Sequence, residues 1–127
     1  MKLSEAMNEV VSVEKDIKLV EVAKIFAKEG ISSIVLINKG KAKGIITERD
    51  IIKNIDNLNK KRISQVMSKK LVTIDYDKEL EDALDLMKSK KIKRLLIIDE
   101  QDTLVGIITA TDIIANADFI NKAFSFF

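Results

Sequence analysis

A chain of 127 residues, 46% hydrophobic and 33% charged, is long enough to bury a core and polar enough to stay in solution. Its 22 basic and 20 acidic residues leave a net charge of +2, which argues against a dedicated nucleic-acid binder, a class marked by strongly basic domains. With no Cys and no His, the sequence excludes disulfide frameworks, thiolate metal sites, His-dependent triads and imidazole general bases.

The opening segment, MKLSEAMNEVV, carries Glu5 and Glu9 where a secretory signal needs an apolar stretch. No apolar run reaches the ~20 residues of a membrane span. The expected location is the cytoplasm. Many Ile and Lys with no Cys also fit a thermophilic source.

In chain order, Val10 to Val13 reads as a short apolar strand. Leu19, Val22, Ala23 and Phe26 follow with the i, i+3, i+4, i+7 spacing of one buried helix face. ISSIVLI (31–37) is a β-branched run without clean alternation, so a strand covered on both faces is expected. The polar turn NKGKA leads to a short strand, GII (44–46), which runs straight into a helix. Residues 56–64, DNLNKKRIS, are polar and read as a linker.

The same order then returns. Leu71 to Ile74 is a strand, and Leu80, Ala83, Leu84 and Met87 form a helix face. IKRLLII (92–98) is a buried strand, and VGII (105–108) enters a final helix after the turn DEQDT. Residues 44–56, GIITERDIIKNID, recur as 106–118, GIITATDIIANAD, with nine of thirteen positions identical at a shift of 62. Upstream the shift is 61, and the difference falls in the two turns, where insertions cost least. The predicted organisation is a first repeat over 1–62, with its N-terminal segment, and a second over 63–127. Each is β-α-β-β-α, together an α/β (α+β) fold. A half-length unit would bury only about 60% of its unfolded surface, so the two are expected to pack together.

The motif Gly-Ile-Ile-Thr-x-x-Asp closes a strand and opens a helix at Gly44–Asp50 and again at Gly106–Asp112. In its repetition and spacing the chain resembles the cystathionine-β-synthase (CBS) domain family, over roughly residues 4–118, as a stand-alone pair. The resemblance implies two repeats packed through their sheets with pseudo-twofold symmetry. It implies clefts that bind AMP, ADP, ATP or S-adenosylmethionine in an energy-sensing, regulatory role, and homodimers of pairs. It assigns the ligand ribose to Asp50 and Asp112, with Thr47 and Thr109 beside them.

The chemistry suits that assignment. A carboxylate has two acceptor oxygens for the two adjacent hydroxyls of a ribose, and charge-assisted bonds are the stronger kind. Thr-x-x-Asp before an apolar helix is also close to a capping box. The two readings agree for Thr and diverge for Asp, which either bonds back to its cap or points into the cleft. The repeat context favours the cleft.

Lys88, Lys90 and Lys91 suit a solvated helix C-terminus. Lys93 and Arg94 instead open an apolar strand, where the family often places a basic pair that reaches ligand phosphates. Guanidinium suits bidentate phosphate contact. The first repeat has Ser32 and Ser33 there, and Arg49 is its candidate substitute. The family's Pro in this strand is replaced by Leu96.

The acidic stretch Asp75, Asp77, Glu79, Glu81 and Asp82 lacks the glycine and spacing of a calcium loop and reads as an acid-rich helix start, so no metal is expected. Glycines at 30, 40, 44 and 106 fit no nucleotide-phosphate loop, and no nucleophile–base pair suggests an enzyme or a catalytic cofactor. Phe119, Phe124, Phe126 and Phe127 crowd the last nine positions, an apolar cluster to be covered by the chain's own surface, by the Leu3-Ala6-Met7 stripe or by a second subunit, the dimer contact being favoured. The expected function is a sensor whose ligand alters a dimer or an unidentified regulated protein. The alternatives are a ligand-free dimerisation scaffold and, more remotely, a nucleic-acid binder using Lys60, Lys61, Arg62 and the 88–94 cluster.

Overall fold

Leu19, Val22 and Phe26 are buried along one face of α2 (Leu19–Glu29), and Leu80, Ala83 and Met87 along one face of α5 (Leu80–Lys90). These are helices because apolar residues recur at the helical period. Both end in a left-handed residue, Gly30 (φ 62°) in the first and Lys91 (φ 55°) in the second. Glycine takes that conformation without a side-chain clash, whereas lysine must adopt it against the strain of its Cβ.

The computed structural model of the chain describes residues 1–116; the phenylalanines of the tail, Phe119 onward, lie outside the described residues. Around the two helices stand α1 (Leu3–Ala6), β1 (Ser12–Val13), β2 (Ser33–Asn38), β3 (Lys41–Thr47), α3 (Glu48–Lys53), α4 (Ile63–Val66), β4 (Thr73–Asp75), β5 (Arg94–Ile98), β6 (Leu104–Thr109) and α6 (Ala110–Ala115). The strands form two three-stranded sheets, β1-β2-β3 and β4-β5-β6. In each, the first pair is parallel across a helix and the second is an antiparallel hairpin. The expected α+β repeat, strand–helix–strand–strand–helix, is therefore present twice.

Both faces of the hairpin strands are covered, as their unbroken apolar runs predict. Ile34, Leu36 and Ile46 join one core with Leu19, Val22, Phe26, Ile51 and Ile63. Val35 and its cross-strand partner Ile45, on the other face, are buried too. In the second sheet Leu95, Ile97 and Ile108 join Leu80, Ala83, Met87 and Ile113, while the paired Leu96 and Ile107 are buried opposite.

The compact units are cut differently from the sequence repeats. One is the contiguous segment Val10–Leu71; the other combines Met1–Glu9 with Val72 onward. The opening segment of each repeat thus packs in the unit that holds the other repeat's sheet. Leu3, fully buried, belongs to the core around Leu80, and Ile63, equally buried, to the core around Leu19.

The stretch 56–64 is accordingly more than a linker. A 3₁₀ turn occupies Ile55–Asn57, and α4 starts within the stretch at Ile63. Its polar composition conceals two apolar residues on the core around Leu19, Ile63 fully buried and Leu58 partly so.

Asp16 fixes the start of α4. Its carboxylate accepts from the Ser64 backbone N at 2.9 Å and from the Ser64 hydroxyl, and its carbonyl accepts from Arg62 Nη1 at 2.8 Å. Partial burial pushes this carboxyl up, but the two Ser64 bonds and the attraction of Arg62 outweigh it and hold it below the usual carboxylate range. A depressed folded-state pKa adds stability that is present above the unfolded value, about 3.9, and is lost as pH falls through the folded value. Denaturant midpoints measured from pH 6 down to 2 should therefore show Asp16→Asn below wild type at pH 6, with the gap closing below pH 4. A constant gap would remove Asp16 as the titrating group.

Candidate functional site

In the unit Val10–Leu71, β3 ends at Thr47 and α3 begins at the next residue. Thr47 is also the N-cap of α3, with an extended backbone (φ −122°, ψ 170°). Asp50, three residues on, turns one oxygen back to this cap. Its Oδ2 accepts from Thr47 N at 2.9 Å and from Thr47 Oγ1 at 3.2 Å. Its Oδ1 has no hydrogen-bond partner among the described residues. Asn54 closes the helix by donating to the Asp50 carbonyl at 2.8 Å.

Antiparallel register places Ser33 opposite Thr47, and Ser32 O accepts from Glu48 N at 3.1 Å. The site in this unit therefore gathers Thr47, Asp50, Ser32 and Ser33 where β2 begins and β3 ends. Arg49 is exposed on the first turn of α3, next in sequence to this group.

The other unit repeats the construction with different side chains. Thr109 ends β6 and caps α6, accepting from Asp112 N at 3.2 Å. Asp112 Oδ2 accepts from Thr109 N at 2.8 Å and from Thr109 Oγ1 at 2.9 Å. Asn116 donates to the Asp112 carbonyl at 2.8 Å. Here Arg94 stands opposite Thr109, and Lys93 O accepts from Ala110 N at 2.8 Å. Lys93 is exposed, as are Lys88, Lys90 and Lys91. Arg94 is half-buried, and its Nε is shielded from solvent with no acceptor among the described residues. A buried donor without a partner is rare enough to require an explanation, and a ligand oxygen is one.

Both carboxylates thus adopt the capping geometry through one oxygen. The sequence posed cap and cleft as alternatives for the whole side chain, but a carboxylate has two oxygens and only one is spent on the cap.

A further side chain reaches Asp112 from outside the motif. Asn8 Nδ2 donates to Asp112 Oδ1 at 2.6 Å. Asn8 lies just past α1, held by a two-way backbone bridge to Ile107. Its signal was available: KLSEAMN (2–8) matches RISQVMS (62–68) at a shift of 60, which pairs Asn8 with Ser68. Ser68 makes the same bridge to Ile45.

The glycine of each motif explains how these segments come so close. A Cβ on Gly44 would collide with the Met67 side chain, and one on Gly106 would stand 2.6 Å from Met7 Sδ and 3.1 Å from Asn8 O. The glycine is therefore a docking surface for the methionine that ends each short helix. No helix among the described residues is long and apolar enough to cross a membrane.

Two α+β repeats with a Thr-x-x-Asp at each strand-to-helix junction define a paired repeat module. The sequence profile of the CBS domain matches residues 3–57 and 63–117, and the chain belongs to that family. Among its relatives, the uncharacterized protein MJ1232 of Methanocaldococcus jannaschii is 39% identical over 108 residues, which are 85% of this chain and 36% of that one. The CBS domain-containing protein YhcV of Bacillus subtilis is 32% identical over 111 residues, 85% of this chain and 79% of YhcV. The CBS domain pair of protein MJ0100, solved in complex with 5′-methylthioadenosine and S-adenosyl-L-methionine, superposes with a TM-score of 0.80 at 27% identity, covering 96% of this chain and 98% of that one. The chain spans about a third of the length of MJ1232.

Proposed function

We propose that the chain is a regulatory module that binds an adenosine-containing ligand, AMP, ADP, ATP or S-adenosylmethionine, and passes its occupancy to a dimer contact or a partner protein. The observation that carries this reading is Asp50, whose carboxylate is fixed through Oδ2 while Oδ1 has no partner among the described residues. A carboxylate immobilised in this way is pre-ordered to accept a ribose hydroxyl, which lowers the entropy lost on binding. Arg94 supports the reading from the other repeat, since its orphaned Nε matches a phosphate or carboxylate oxygen. Lys93 and Arg49, both exposed, would add charge near a phosphate without fixing its position. The ligands of the MJ0100 pair are of the same chemical class.

The site offers binding groups and no nucleophile–base pair, so its output is a shift between states. Such a shift requires the ligand to bind two states unequally. Ile52 and Ile114, 69% and 72% exposed, stand at matching positions of the two repeats and suit self-association. We place the module in the cytoplasm, where adenine nucleotides are plentiful.

Thermal unfolding with millimolar AMP, ATP or S-adenosylmethionine tests this. A ligand at a hundred times its Kd adds about 2.7 kcal/mol, which raises Tm by roughly 5–10 °C in a domain of this size. Asp50→Asn should keep the cap but weaken binding by about 10- to 100-fold, the worth of a charge-assisted hydrogen bond. A protein that no adenosine ligand stabilises would be a dimerisation scaffold, the reading that its exposed isoleucines otherwise favour.

A further inference from the structure

The two candidate ribose carboxylates are built alike and occupied differently. Asp112 has both oxygens engaged, Oδ2 by Thr109 and Oδ1 by the Asn8 amide at 2.6 Å. Among the described residues, Asp50 has only Oδ2 engaged. The cause is one substitution between repeat-related positions. Asn8 and Ser68 make the same backbone bridge at the same point of the sheet, to Ile107 and Ile45. The asparagine side chain carries an N–H donor beyond the serine hydroxyl's reach. The Ser68 hydroxyl instead accepts from Lys70 N at 3.4 Å.

We propose that Asn8 is a built-in competitor for the ribose of a ligand at Asp112, so that the Asp50 site fills first and the Asp112 site fills as a separate, weaker step. The proposal rests on the reading that these carboxylates receive a ribose. At Asp50 an incoming hydroxyl gains a bond to an open acceptor. At Asp112 the hydroxyl must first break an amide–carboxylate bond, and the freed amide is re-solvated at an exposed position. The exchange cancels much of the gain, a handicap of about tenfold in affinity. Asn8 therefore sets the spacing between the two binding steps. A sensor with separated steps responds over a wider range of ligand concentration than one with two equal sites.

The test is calorimetric titration of the full chain with AMP and, separately, with S-adenosylmethionine. The wild type is compared with Asn8→Ser, which installs the residue already used at position 68, and with Asp50→Asn and Asp112→Asn. The tighter step should fall with Asp50→Asn and the weaker with Asp112→Asn. Asn8→Ser should tighten the weaker step about tenfold and leave the tighter one in place. If the wild type shows a single step, that step should depend on Asp50, and Asn8→Ser should add a second.

A weaker step unmoved or loosened by Asn8→Ser, or a tighter step that depends on Asp112, overturns the proposal while the ribose reading stands. Binding of either probe that ignores both Asp variants, or no binding at all, overturns the ribose reading itself. Side-chain amide NMR of Asn8 gives a check free of any substitution: its resonances should move only as the weaker step fills, and movement with the tighter step counts against the proposal.

Discussion

Leu3→Ala is expected to destabilise the protein by about 2–5 kcal/mol. Leu3 is fully buried among Leu80, Ala83, Met87, Leu95, Ile97, Ile108 and Ile113. Its backbone N donates to Lys78 O, and Leu80 N donates to Met1 O, both at 2.9 Å, so the segment is tied to the start of α5 and its core cannot easily collapse around a smaller side chain. The nearby ion pairs, Glu79 with the Met1 amino group and with Lys2, are solvent-exposed and contribute little. Urea unfolding should show a lower midpoint, and hydrogen exchange should place the lost protection in β4, β5, β6 and α5 rather than in residues 10–71. Unchanged protection in those strands would show that the segment is not part of that core.

Gly106→Ala should cost about 1–3 kcal/mol, the range for overpacking a tight contact. The new Cβ meets Met7 Sδ at 2.6 Å and Asn8 O at 3.1 Å. The thioether can swing aside, but Asn8 O is held by Ile107 N at 3.1 Å, so the bridge itself is strained. Gly44→Ala should cost less, because only the flexible Met67 side chain stands in the way. Adding Met7→Ala to Gly106→Ala should recover part of the loss, with a coupling of at least about 0.5 kcal/mol in a double-mutant cycle. Strictly additive losses would mean that the methionine and the glycine are not packed as described.

The repeat, its helix faces and its buried hairpins were readable because each rests on a local pattern that a duplication displays twice. Leu19, Val22 and Phe26 announce a helix face, and the burial of Ile34 to Leu36 follows from an apolar run without alternation. Membership of the packing units was not readable in the same way. The segments Leu3–Ala6 and Ile63–Val66 are single helical turns with one buried residue each, too short for any periodicity to emerge. The division of each Asp carboxylate was also hidden, because the residue type does not tell which oxygen bonds the cap and which is left for another partner. The match of 2–8 with 62–68 marks Asn8, but its contact with Asp112, 104 positions away, is seen only in the fold.

The exchange of opening segments has a bearing on synthesis. Residues 10–71 form a contiguous unit that can close once they have left the ribosome. Residues 1–9 emerge before residues 10–71, yet their core partners run to Ile113. A segment made before the contiguous unit is thus placed after it. Until then Leu3 and Met7 remain unsatisfied apolar groups on a short free strand of polypeptide, able to close onto the β4–β6 unit of their own chain or onto that of a neighbour being made on the same message.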